Sequence, residues 1–484
     1  MSCSNLPCKS IIDKIATGAG GVSFYSPVKW TSFESSSATM TSPESNGALN
    51  NNTATQSITA KWPSYYRHPF RTVNQWLLGK RRDDDTGGLW RIHDSLYDLT
   101  EFINLHPGGA DWITCTKGTD ITEAFEVHHI GGRAEQLLPK YRVRAAEAPR
   151  FVRFTFDDSG FYRTLKRRVQ AKLATIDKRA ARTSEVILDS LLCASFILAC
   201  VAINRHSYLL GALCGLFVAW TMIGAHNFFH RKDNWRMLAF NLAFFSYREW
   251  RVAHAISHHL FPNSLLDLEI SLFEPWLCWL PSSARKNLLQ RFGSWVYGPI
   301  VYAAMFIFEF GKRWLEMMWT RKSSFHADDA IFILLPLTMW MTSNTCFLIV
   351  LKMWFLIVLV ASFVFGAIGV NAAHHHPEIV HSGDLIPADI DFGVYQLASI
   401  IDRADVRGSH FRVLVSFGDH SLHHLFPTLD HGILSQLYPV FYETCAEFQL
   451  EHREQFMLQA VIGQHQQLAR IEPNNFMPSK QNYK

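Results

Sequence analysis

Polar and apolar residues are segregated along this chain of 484 residues: a polar N-terminal part, a middle of long apolar runs, and a polar tail. Two apolar segments, about 186–204 and 208–225, are separated only by Arg205, His206 and Ser207. Each is near the ~20 residues a helix needs to cross a bilayer, and so short a hinge permits only a helical hairpin. Two further spans are predicted at about 330–349 and 353–373, turning around Lys352. A shorter run, about 295–311, contains Gly298, Pro299 and Glu309 and is predicted to lie at the interface. Histidine clusters lie on either side of these later segments. If they share one face, an even number of spans separates residues 259 and 420, giving four spans in all.

Charge sets the orientation. Lys166, Arg167, Arg168, Lys172, Lys178, Arg179 and Arg182 precede the first span, and Arg231, Lys232 and Arg236 follow the second. By the positive-inside rule both groups are cytosolic, which puts both termini and the histidine clusters on that side. The net charge of +4 gives no case for nucleic acid as a partner. Nine cysteines without a CxxC pair, four of them (Cys193, Cys200, Cys214, Cys346) in apolar runs, fit a reducing compartment.

The pattern therefore predicts a multidomain protein: a small α+β domain followed by an all-α membrane domain with four spans. Residues 1–60, rich in Ser, Thr and Asn and without an apolar leader, read as a disordered tail lacking a signal peptide. Residues 61–87 read as a linker, 88–145 as the α+β domain and 146–184 as a basic connector. The membrane domain is expected over 185–445 and a polar tail over 446–484.

Within the small domain, LWRIHDSLYDL alternates like a hairpin and TEFINL begins a helix that His106-Pro107-Gly108-Gly109 breaks. The glycine pair allows close backbone approach to a flat ligand. A second imidazole follows at His129, with His128 as the neighbouring alternative. Two axial histidines suit an iron that transfers electrons and does not bind oxygen. The stretches LWRIHDSLYDLTEFINLHPGG and GTDITEAFEVHH resemble the haem-binding core of the cytochrome b5 family. That resemblance implies one haem b held by His106 and His129 and packed by Leu99, Phe102 and Phe125.

The apolar middle carries three histidine motifs. HNFFH places His226 and His230 four residues apart, on one face of a helix. HAISHH places His254 and His258 on a shared helical face, with His259 about 100° around it. HSLHH supplies His420, His423 and His424. Eight neutral imidazoles suffice for about four positions on each of two metals, and suit iron, zinc or copper.

These motifs resemble, in order and separation, the histidine boxes of the integral-membrane fatty acid desaturases over about 185–445, and HHLFPTLDH is similar to that family's continuation. Three departures stand out: His420 in place of the glutamine common in front-end members, three residues before the His258–His259 pair, and Asn227 in the first motif. The resemblance implies a non-haem di-iron centre on the eight histidines and O2-dependent desaturation of a membrane lipid or acyl chain. NADH would supply the electrons through a cytochrome b5 reductase-type partner. It also implies an endoplasmic reticulum location and an extra ligand in NAAHHHPEIVH. His375 is favoured there by its distance from Pro377, with His374, His376 and His381 as alternatives. Asp267, Glu269 and Asp384 are expected to orient histidines or remain solvated. Lipid hydroxylation uses the same scaffold, and an electron-transfer protein with a silent membrane domain is a third reading.

Overall fold

The computed structural model describes residues 54–68, 71–282, 286–320 and 326–477. Near its start, a three-stranded antiparallel sheet forms from β1 (Trp90–Ile92), β2 (Ser95–Tyr97) and β3 (Arg142–Ala145). Trp90 pairs with Tyr97 across the hairpin, whose tight turn puts His93 at a positive φ of 51°. Trp90, Ile92, Leu99, Ile113, Ile121 and Phe125 form a separate small core beside this sheet. The α+β expectation is met in this module.

Its flanks are more structured than their composition implies. The expected linker contains helix α1 (Val73–Asp84), capped by the Thr72 side chain on the Gln75 amide. Trp76 and Tyr65 are buried in the main core, donating to the carbonyls of Leu266 (2.8 Å) and Leu265 (2.6 Å). The expected basic connector contains α2 (Phe161–Leu173), whose Phe161, Tyr162, Leu165 and Val169 recur at helical spacing and are all buried. Ala54 and Thr55, assigned to the tail, pair with Pro387 and Ile386; residues 1–53 of that predicted tail lie outside the described residues. The C-terminal stretch forms a packed helix, Met457–Ala469, whose last carbonyls accept from the buried Lys286 ammonium.

Among the described residues, three helices are long and apolar enough to cross a membrane: α3 (Arg179–Asn204), α4 (Tyr208–Phe229) and α5 (Phe347–Val370). The first two form the expected hairpin, with Ser207 capping the second. Gly215 lets α4 approach α5 closely, since a Cβ there would lie 2.8 Å from the Ile357 carbonyl. The fourth span, predicted over 330–349, is not among the long apolar helices of the described residues. Residues 330–349 are instead divided between a 3-10 helix (Ala327–Ile333) and a short α-helix (Leu334–Met341). Pro336 lacks an amide donor and is tolerated only in a first turn, so the α-helix starts just before it. The run at 295–311 belongs to a longer helix, Ser294–Thr320. That helix is fastened to surrounding segments at both ends: Tyr302 accepts from Gln464, and Glu316 from Thr72.

Candidate metal centres

The histidines of the three motifs converge from the end of α4, a π-helix (Arg251–His258) and a short helix (His420–Leu425). His226, His230, His254, His259 and His423 form one group whose ligand atoms lie within 4.8 Å of one another, and His258, His374, His420 and His424 form a second. All nine are buried. The His259 and His424 rings stack at 4.0 Å, which places the groups side by side.

The π-helix explains a difference from the expected pairing. Its i→i+5 bonding, seen in His259 N–H to His254 O at 2.8 Å, brings positions five apart together. His254 and His259 therefore share a group while His258 enters the other. A regular α-helix would have put His254 and His258 on one face.

Hydrogen bonds fix the ring orientations. The Nδ1 atoms of His254 and His258 meet Glu269 Oε1 (2.7 Å) and Asp267 Oδ2 (2.9 Å). His374 and His420 use Nδ1 toward the carbonyls of Ser399 and Phe417, and His424 toward Gln396 Oε1. With Nδ1 engaged outward, Nε2 is left as the inward lone pair. The inward Nε2 atoms crowd together: His226 to His254 is 2.7 Å and His374 to His420 is 2.7 Å. A cation among these lone pairs satisfies all of them at once, so the donor sets fit metal. Burial pushes His254, His259 and His424 well below the usual imidazole range, keeping them neutral as ligation requires. His258 goes the other way: burial pulls it down, but Asp267 and Glu269 outweigh it and raise it to about 9.

His374, not the expected His375, enters the second group. The chain turns out of α5 at Asn371, and the Ser399 carbonyl orients His374 inward. The next ring, His375, lies flat on Trp279 at 3.9 Å and 7°. His376 packs beside Gly463, and His381 is buried near Arg470, outside both groups. Counting from the end of the span would have favoured His374 over its neighbour; counting back from Pro377 did not. Asp384 binds Arg470 and no imidazole nitrogen. His431 was not expected near the centre, yet its ring lies 4.3 Å from that of His423, held by Asn227.

In the N-terminal module His106 and His129 face each other with ring centroids 6.2 Å apart. That gap suits two imidazoles binding one metal from opposite sides at about 2.0–2.1 Å each. Both Nδ1 atoms are engaged by carbonyls, of Gly109 and Phe125, leaving both Nε2 atoms free to ligate. Gly109 needs its positive φ of 117°, and a Cβ at Gly108 would lie 2.8 Å from the His106 ring. His128 turns instead toward Trp112, at 5.5 Å.

A cavity of about 1160 Å³ starts at His254, His258, His374 and His420. Phe245, Phe365, Met305 and Val301 are among its apolar walls, and Tyr66, Arg67 and Arg71 line it as well.

A family model described as fatty acid desaturase matches residues 204–456, and one described as cytochrome b5-like heme/steroid binding domain matches residues 77–147. The chain belongs to the fatty acid desaturase family. Like other members it is an integral membrane protein, here with a cytochrome b5-like domain in front. It is 46% identical over 424 residues to the cytochrome b5-related protein of Drosophila melanogaster, covering 87% of this chain and 97% of that one. The cytochrome b5-related protein of Drosophila virilis is 53% identical over 132 residues, covering 27% of this chain and 92% of that one. Among desaturases, acyl-lipid (8-3)-desaturase B of Dictyostelium discoideum is 24% identical over 441 residues, covering 78% of this chain and 89% of that one. No solved structure matches this chain.

Proposed function

We propose that the protein is an O2-dependent lipid acyl desaturase with its own electron-donating haem domain. The observation that carries this reading is the largely apolar cavity of about 1160 Å³ lined by His258, His374 and His420 of the second metal group and His254 of the first. An acyl chain is the ligand such a space favours, and its histidine-lined part is where C–H bonds would meet the metals.

His226, His230, His254, His259 and His423 hold one iron and His258, His374, His420 and His424 the other; His106 and His129 hold haem b. When bound, the iron pair supplies the oxidising power that takes two hydrogens from unactivated carbons, with electrons delivered by way of the haem. The chain's own residues do the rest. Glu269 and Asp267 fix the imidazoles of the π-helix. Trp250, stacked at 5.0 Å on His254, and Phe365 wall the chain path and exclude water. We further propose that NADH feeds the haem through a separate cytochrome b5 reductase-type partner. The protein would reside in the endoplasmic reticulum, with both termini and the metal centre cytosolic.

Lipid mass spectrometry of cells expressing the wild type beside the His423→Ala, His424→Ala double variant tests the reading. A wild-type-only species lighter by two hydrogens is expected. Gain of one oxygen would instead make the protein a hydroxylase. Identical lipidomes, with haem and two non-haem irons present, would favour an electron-transfer role.

A further inference from the structure

The segment ahead of the cytochrome b5-like domain forms the far end of the cavity. Trp62, Tyr66, Arg67, His68 and Arg71 all line it. The segment is fixed there by Tyr65, through its 2.6 Å bond to Leu265, and by Ser64, which donates to Asp83.

Charge at this rim is small and nearly balanced. Arg71 is ion-paired with Glu274 and lies over the Tyr66 ring, and Lys312 pairs with Glu309 at 2.7 Å. Arg67 is exposed and has no ion pair among the described residues. Of the three carboxylates lining the cavity, Glu269 holds His254, and Glu274 and Glu309 pair with Arg71 and Lys312, which leaves the Arg67 charge unpaired among the described residues. A single phosphodiester matches that charge. The head of coenzyme A, with a pyrophosphate and a further phosphate, carries several negative charges and finds no cluster of free cations here.

The wall beside the rim is apolar on its outside as well. Phe308 and Leu315 line the cavity yet are 55% and 52% exposed. Trp62 and Trp276, also lining residues, are 46% and 55% exposed. Amphipathic indoles at an opening whose neighbouring side is apolar are typical of the boundary between acyl chains and headgroups.

We propose that the cavity takes one acyl chain of an intact glycerophospholipid, entering sideways past Phe308 and Leu315, with its phosphodiester seated on Arg67. This rests on the acyl-oxidation reading and adds the substrate class. It also makes the segment preceding the haem domain a substrate-selecting element.

The test is photocrosslinking of the full-length holoprotein in vesicles of phosphatidylcholine bearing a diazirine in one acyl chain, followed by peptide mapping. Labelling of the peptides carrying Met305 and Phe365 is expected. Arg67→Glu should lower it about tenfold, as loss of a charge-assisted contact implies, while Arg67→Lys retains most of it. Because Arg67 is exposed, an unchanged haem spectrum is expected in both variants. Equal labelling in wild type and Arg67→Glu, absence of cavity labelling, or its displacement by equimolar palmitoyl-coenzyme A would overturn the proposal. Labelling as expected without any oxidised lipid would uphold the phospholipid site and remove the desaturase reading.

Discussion

Arg251 lies over the indole of Trp112, with its guanidinium carbon 4.7 Å from the ring, while its Nε donates to the Phe229 carbonyl at 3.0 Å. One side chain thus touches both the haem-type module and the residue preceding His230. On the module side, Trp112 packs against His128, the neighbour of His129. Arg248 reinforces the junction by pairing with Asp111. The two proposed redox sites are joined by a packed path of side chains with no linker between them.

Replacing Arg251 with Met should therefore uncouple the sites without emptying either. The haem spectrum and the iron content are expected to stay near wild type. Stopped-flow reoxidation of the reduced haem under O2 with a lipid substrate should slow severalfold. An unchanged rate would show that Arg251 is not part of the coupling.

The second metal group gives a prediction that separates adjacent residues. His374→Ala removes an inward Nε2 and should lower non-haem iron from about two to about one per haem, measured by elemental analysis of purified protein. His375→Ala should keep both irons. Losing its stack on Trp279 costs only about 0.5–1.5 kcal/mol, visible as a small drop in melting temperature. The reverse pattern of iron loss would restore His375 as the ligand.

Much of this site was legible because its chemistry is concentrated in sequence. HNFFH, HAISHH, HSLHH and HPGG each bring their imidazoles within a turn or two, and all of them reach the two sites. What was not legible depends on backbone detail. The π-helix exchanges His258 for His259 as the partner of His254, and nothing in HAISHH distinguishes i+5 from i+4 bonding. From Ala330 to Met341 the broken segment is apolar except for Thr338, so hydropathy reads it as one span although the helix type changes just before Pro336. Helices α1 and α2 mix aromatic and basic residues. The buried face of α1 shows only once Trp76 is seen bonded to the Leu266 carbonyl, and that of α2 once Phe161, Tyr162, Leu165 and Val169 are seen in the core.

The carboxylates behind the π-helix offer a test of ring orientation. Glu269→Gln and Asp267→Asn keep size but weaken the hold on His254 and His258 Nδ1. Each should lower metal affinity by about 10–100-fold, measured by chelator competition, with the haem unaffected. Asp267→Asn should have the larger effect on stability as well. Its carboxylate also accepts from the backbone amides of Asn263 and Glu269, so the local turn depends on it.

Acid should loosen the haem domain in a defined order. Asp120 is buried; burial alone would raise its pKa, but Arg150, Lys80 and a bond from Thr122 hold it at about 2. An unfolded aspartate titrates near ~3.9, so the folded value is the lower one. The resulting stabilisation, about 2 kcal/mol, is present above about pH 4 and lost as pH falls toward 2. Neighbouring Asp84 behaves oppositely: burial, with the Asp120 charge adding and Lys80 opposing, pushes it up to about 6. Its folded form gains a proton first, so stability rises, by an amount comparable to the Asp120 contribution, as pH drops from about 6 to 4. Thermal loss of the Soret band should therefore shift upward on mild acidification from about pH 6 to 4 and fall back below about pH 4. In Asp120→Asn the lower limb should flatten, because the titrating carboxylate is gone. If that variant kept the full acid collapse, the transition would belong to another group, and Glu126, held down by His93, Lys166 and Arg163 against the effect of burial, is the next to replace.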